Sequence, residues 1–118
     1  MQISVTSRHM ETKQAIKKYA VEKVEHTLSE FPRVLYVHAI LDIQKYRHIA
    51  EIVVQAKDHI QVDAQHESDD LYVSIDGAVD KATKQLRRLR DKVQDHRSRE
   101  KLADIELATE AKNSYIED

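Results

Sequence analysis

A chain of 118 residues has room for one modest hydrophobic core and not for two. Charged residues make up 34% of it, and no apolar run approaches the roughly 18 residues that cross a bilayer, so no membrane partner is expected. The opening MQISVTSRHM lacks the charged start and apolar centre of a secretory signal, and without cysteine there is no disulfide, thiolate nucleophile or cysteine metal site. A cytoplasmic protein is expected.

The formal net charge of −2 is unevenly spread. Residues 102–118 hold Asp104, Glu106, Glu110, Glu117 and Asp118 against Lys112 alone, which leaves residues 1–101 with a small positive balance. A domain over residues 1–101 and an acidic, disordered tail over residues 102–118 are therefore expected. The tail has too little apolar surface to offset the entropy of ordering it.

Gln2 to Thr6 alternates polar residues with Ile3 and Val5, the pattern of a short strand. A helix follows, with Thr12 as N-cap and an end near Ser29. Its buried stripe is Ile16, Ala20, Val24 and Leu28, and Phe31-Pro32 closes it because proline disfavours the helical conformation in the residue before it. Val34 to Gln44 is a long strand with Leu35, Val37, Ala39, Leu41 and Ile43 on one face and Tyr36, His38, Ile40 and Asp42 on the other. Lys45-Tyr46-Arg47 makes a basic turn into a third strand, roughly His48 to Ala56. Ile60, Val62 and Ala64 alternate with polar residues in a fourth.

The last helix runs from Ser68, the expected N-cap, to about Lys101. Leu71, Ile75, Ala78, Val79, Ala82, Leu86, Leu89 and Val93 recur at steps of three and four, which puts them on one face. Lys81, Lys84, Arg87, Arg88 and Lys92 point away from that stripe. Asp69, Asp70, Asp76 and Asp80 lie in the first half, so part of the charge gradient simply complements the helix dipole. Gly77 falls on the outward side, where a close backbone approach to a partner and simple tolerance are equal explanations.

Short turns make the last three strands antiparallel neighbours, and a right-handed crossover makes the first two strands parallel. The fold class is a two-layer α/β (α+β) domain of order β-α-β-β-β-α, a four-stranded mixed sheet with both helices on one face and the other largely open.

Catalytic signatures are missing. With one glycine, inside a helix, there is no phosphate loop or dinucleotide fingerprint, and the seven histidines form no metal-ligand spacing. No hydroxyl sits in a nucleophile motif. The expectation is a non-enzyme with no metal, cofactor or small-molecule substrate. What the residues do offer is a basic surface that can neutralise phosphates, formed by the last helix, Arg8 and the Lys45-Arg47 turn if the fold brings them to one side. The aromatics lack the spacing of an RNP strand motif, so shape and backbone recognition of folded RNA fits better than stacking on splayed bases.

SRH at Ser7 to His9, KYRHIAEI from Lys45 to Ile52, and DDLYVSIDGAVDKATKQLRRLRDK from Asp69 to Lys92 resemble the short ribosome hibernation promoting factor and ribosome-associated inhibitor family. The resemblance implies a fold similar to double-stranded-RNA-binding domains. It also implies binding to the small ribosomal subunit and its ribosomal RNA, over the messenger and transfer RNA sites, with reversible inhibition of translation and protection of idle ribosomes in stationary phase or stress. Arg8, His9, Lys45, Arg47, Lys81, Lys84, Arg87, Arg88 and Lys92 would be the ribosomal-RNA contacts. Ser7 stands where the family commonly has glycine, and Leu89 and Asp91 interrupt a basic helix end that is often more continuous. The second, dimer-forming domain of long family members is absent from the sequence. Ala108 to Asp118 is weakly similar to the tail of inhibitor-type relatives, which block ribosome dimers; the alternative is a short promoting factor that favours dimers with a partner. Two further alternatives remain: a general RNA-binding protein acting away from ribosomes, and an adaptor for a non-nucleic-acid partner using Tyr36, Ile40, Ile49 and Val53 on the open sheet face.

Overall fold

The computed structural model describes the backbone of residues 1–102 and the side chains of residues 1–92. Its elements are β1 (Gln2–Arg8), α1 (Gln14–Leu28), β2 (Val34–Gln44), β3 (Arg47–Ala56), β4 (Ile60–Ser68) and α2 (Leu71–Leu102). Met1–Lys84 forms one compact unit, and a second begins at Gln85. The acidic tail and the side chain of Val93 lie outside the described residues.

The four strands lie side by side in chain order, β1 parallel to β2 and the other neighbours antiparallel. Register carries the apolar residues of every strand to one face. Val37 stands between Ile3 and Val54, which pairs on with Val62, and Ala39 stands between Val5 and Ile52, which pairs on with Ala64. Both helices cover this face. Ile16, Ala20, Val24 and Leu28 of α1 and Leu71, Ile75, Ala78, Val79 and Ala82 of α2 are all buried. The Ser74 hydroxyl, itself fully buried, donates to the His48 carbonyl at 2.7 Å and ties the start of α2 to β3. Between the helices, the Tyr19 hydroxyl donates to Asp76 at 2.5 Å and its ring meets Tyr72 edge-on, with centroids 4.9 Å apart. The bond to the Asp76 carboxylate, with burial and nearby aspartates, pushes the Tyr19 hydroxyl up to about 12, so it remains a neutral donor.

Four local expectations are corrected. Leu35 is half exposed and Val34 is buried in its place, because a bulge between Val34 and Tyr36 shifts the register at the start of β2. Thr12 does not cap α1: Lys13 holds the cap position without a side-chain bond, and the Thr12 hydroxyl is bonded to Ser7. Ser68 does not cap α2. β4 runs on through Ser68, and the Asp70 carboxylate accepts the Tyr72 amide at 2.9 Å. Gly77 is not outward: a Cβ there would lie 2.4 Å from two ring carbons of His66, so the missing side chain is the space the imidazole occupies.

The opposite face is open and polar in rows. Gln2, Tyr36, Gln55 and Gln61 form one row, Ser4, His38, Val53 and Asp63 the next, then Thr6, Ile40, Glu51 and Gln65, then Arg8, Asp42, Ile49 and Glu67. Ser4 bonds the Tyr36 hydroxyl and Thr6 bonds His38 Nε2, each at 2.7 Å. Every apolar side chain in these rows has polar neighbours, so the trio Ile40, Ile49 and Val53 is interleaved with charge. Glu51 hydrogen-bonds Asp63, and this bond, with desolvation and the repulsion of the second carboxylate, raises its pKa above the usual 4.5; Arg8 opposes the shift.

Two outcomes are expected. Alanine at Gly77 gains about 1 kcal/mol of helix propensity but overpacks His66, so Gly77→Ala is destabilising by a net of roughly 1–2 kcal/mol in urea titration. In a His66→Ala background the same change becomes stabilising. Because the folded-state pKa of Glu51 is raised, the native chain loses stability as pH rises from 4.5 through that folded value. Glu51→Gln therefore melts at higher temperature than the native chain at pH 7, and thermal melts below pH 4.5, where Glu51 is protonated in both states, show the difference closing.

Candidate ribosomal-RNA interface

Two segments remote in sequence converge on one end of the sheet. The parallel register of β1 sets Arg8 beside Asp42, near the end of β2, and the hairpin register sets Gln44 opposite Arg47. Arg8, His9, Lys45 and Arg47 therefore project from the same rim, and all four are exposed. Two of them occupy backbone that L-residues rarely adopt: His9 has φ 60° and Lys45 has φ 56°. At His9 the conformation turns the chain back over β2, where Nδ1 donates to Asp42 Oδ1 at 2.9 Å. At Lys45 it closes the two-residue turn to β3. Asparagine or glycine would enter that conformation at lower cost, which for other L-residues is about 1–2 kcal/mol.

Three of these four residues have acidic neighbours within the fold. Arg47 Nε donates to Glu67 Oε1 at 2.9 Å across the β3–β4 pair. Arg8 acts electrostatically on Glu51. Asp42 accepts His9, the Ile43 amide at 2.8 Å and the Gln44 side chain at 3.3 Å; the His9 bond, foremost, holds its carboxyl below the usual value. Lys45 makes no ion pair among the described residues. Beside it Tyr46 is 88% exposed.

Lys81 and Lys84 of α2 do not join this rim. The helix starts there, where Ser74 reaches His48, and its turns up to Lys84 lead away from it. Lys81 extends over the edge of β4 and donates to the Gln65 carbonyl at 2.9 Å, which also covers an edge acceptor that another strand could pair with. Lys84 is exposed on the same outer side. In the unit that begins at Gln85, Arg87, Arg88 and Lys92 are exposed, as the helical spacing requires, Leu86 is buried and Leu89 is partly covered.

Sequence reasoning missed the carboxylates that answer the rim cations, Asp42, Glu51 and Glu67. The available signal was the strand register, which aligns Arg8 with Asp42 and brings Glu67 beside Arg47 once the turns are placed. Among the described residues no group of three or more histidine, aspartate or glutamate side chains could hold a metal ion. None of their helices is long and apolar enough to cross a membrane.

Residues 3–94 match the family model described as Sigma 54 modulation protein / S30EA ribosomal protein. Among curated relatives, a ribosome hibernation promoting factor of Salmonella typhimurium is 29% identical over 96 residues, spanning 81% of this chain and all of the relative. One from Pseudomonas putida is 30% identical over 95 residues, covering 80% of this chain and 91% of the relative. Two solved structures share the fold. A ribosomal subunit interface protein from Coxiella burnetii has TM-score 0.72 and 24% identity over 77% of this chain and 99% of that one. The N-terminal domain of Thermus thermophilus Protein Y has TM-score 0.67 and 28% identity over 75% and 98%. The sheet with its two helices, and the match across nearly all of both, place this chain in the S30EA family of ribosome hibernation factors.

Proposed function

We propose that the chain binds the small ribosomal subunit through ribosomal RNA, over the messenger and transfer RNA sites, and reversibly silences translation while protecting idle ribosomes in the cytoplasm. No reaction is catalysed on this reading. The observation that carries it is the rim: Arg8 and His9, remote in sequence from Lys45 and Arg47, share one exposed end of the sheet, where Lys45 makes no ion pair among the described residues. Family membership supports the ribosome as the partner. The exposed Lys81 and Lys84, and separately Arg87, Arg88 and Lys92, supply further phosphate contacts.

The segment beyond residue 101 leads us to favour the inhibitor type, which blocks ribosome dimers, because the aligned 96 residues account for the whole of the Salmonella typhimurium relative and 81% of this chain. The names of the curated relatives favour the second reading, a promoting factor that supports dimers with a partner.

In starved-cell extract the protein is expected in small-subunit and ribosome fractions at low salt and in the soluble fraction at high salt; absence from ribosomal fractions at low salt would remove the reading. Lys84→Glu with Arg88→Glu is expected to weaken sedimentation with purified small subunits at least tenfold with unchanged circular dichroism. Removing one phosphate interaction lowers the slope of log affinity against log salt by about one. Unchanged binding would point to the sheet-face adaptor instead. Truncation after Lys101 is expected to leave subunit binding intact and to increase ribosome dimers counted by sucrose-gradient sedimentation, whereas an unchanged or reduced dimer count supports the promoting type.

A further inference from the structure

We infer that Tyr46 is a base-stacking contact, taking the face of an unpaired nucleobase while Lys45 and Arg47 meet the phosphates on either side of it. The inference deepens the ribosomal-RNA reading and rests on it. Among the described tyrosines, Tyr19 bonds Asp76 and packs on Tyr72, and Tyr36 bonds Ser4 and stacks edge-on near His38. Tyr46 alone has neither a hydrogen bond nor a ring contact, and it stands 88% exposed between two cations. Nothing in the fold asks for a ring there: the turn would close better on small residues with left-handed preference, yet its first position is a lysine at φ 56° and its second an aromatic. The hairpin holds both at the outermost point of the rim that carries Arg8 and His9, and Glu67 fixes Arg47 at its base. A single ring flanked by cations suits an extruded base with its backbone, since stacking is indifferent to base identity and the cations supply the phosphate attraction. This is a different geometry from stacking across a strand face, which the spacing of the aromatics does not support.

The chain contains no tryptophan, so Tyr46→Trp places one fluorophore at the tip. Titrated with purified small subunits, Tyr46→Trp is expected to show quenched emission and near-native affinity, and Tyr46→Phe to bind as the native chain does. Tyr46→Ala is expected to bind roughly five- to a hundredfold more weakly with an unchanged salt slope. Lys45→Ala instead lowers the slope by about one. Circular dichroism checks that each variant is folded. Native affinity of Tyr46→Ala overturns the inference while the ribosomal reading stands. A blue-shifted, unquenched Tyr46→Trp signal also overturns it, by placing the ring in an apolar protein pocket. Failure of the native chain to bind small subunits removes the reading and the inference together.

Discussion

The domain depends on a sheet that is dry on one face only. Val37, Ala39 and Leu41 of β2 pair with Val54, Ile52 and Ala50 of β3, and all six are fully buried. Burying a side chain of the valine-to-leucine class contributes about 1.5–3 kcal/mol each, so these central strands cannot slip by one residue without turning that whole set to water. The stripe of α1 and the first turns of α2 close over the same face. Each helix thereby turns most of its apolar residues inward, and its exterior is largely polar, Val73 of α2 being an exception. The candidate functional surface is what this constraint leaves over: the strand ends, the hairpin tips and the outer side of α2.

Those leftovers explain which parts of the protein were legible in its sequence. The bounds of β2 and the buried positions of α2 from Leu71 to Ala82 follow from periods of two and three to four residues, because burial enforces the period, and the strand order follows from short turns and crossover handedness. The misread positions are those where a single local contact outweighs the pattern. A bulge exchanges Val34 for Leu35. Asp70 takes the cap because β4 holds its pairing through Ser68. Gly77 reads as a tolerated helix glycine until β4 is laid against α2 and His66 arrives in the vacant space. Lys45 carries no sequence mark of left-handed backbone, since lysine usually avoids it, and at His9 the mark is weak. The rim cations were legible by type and by motif, but their convergence and their carboxylate neighbours depend on strand register.

The same carboxylates bear on how an RNA could be held. A protein of net charge −2 that offered eight unpaired lysines and arginines to RNA would have to hold them against mutual repulsion, with its acidic residues elsewhere. At the rim Arg47 rests on Glu67, His9 on Asp42, and Arg8 near Glu51. The pairs orient the cations before any partner arrives, so less side-chain entropy is given up when a phosphate is met. They also mean that a phosphate must compete with a carboxylate for Arg47, and that bringing RNA to the rim sets phosphates beside Asp42, Glu51 and Glu67. The strength of the phosphate interactions should therefore fall unevenly along the surface. On the proposed reading Lys45 and Lys84, with no ion pair among the described residues, would give their full counterion-release effect, and the paired residues less while fixing position. If RNA is held here, the salt dependence of binding would rest mainly on these few unpaired lysines, and the paired residues would contribute mostly to register.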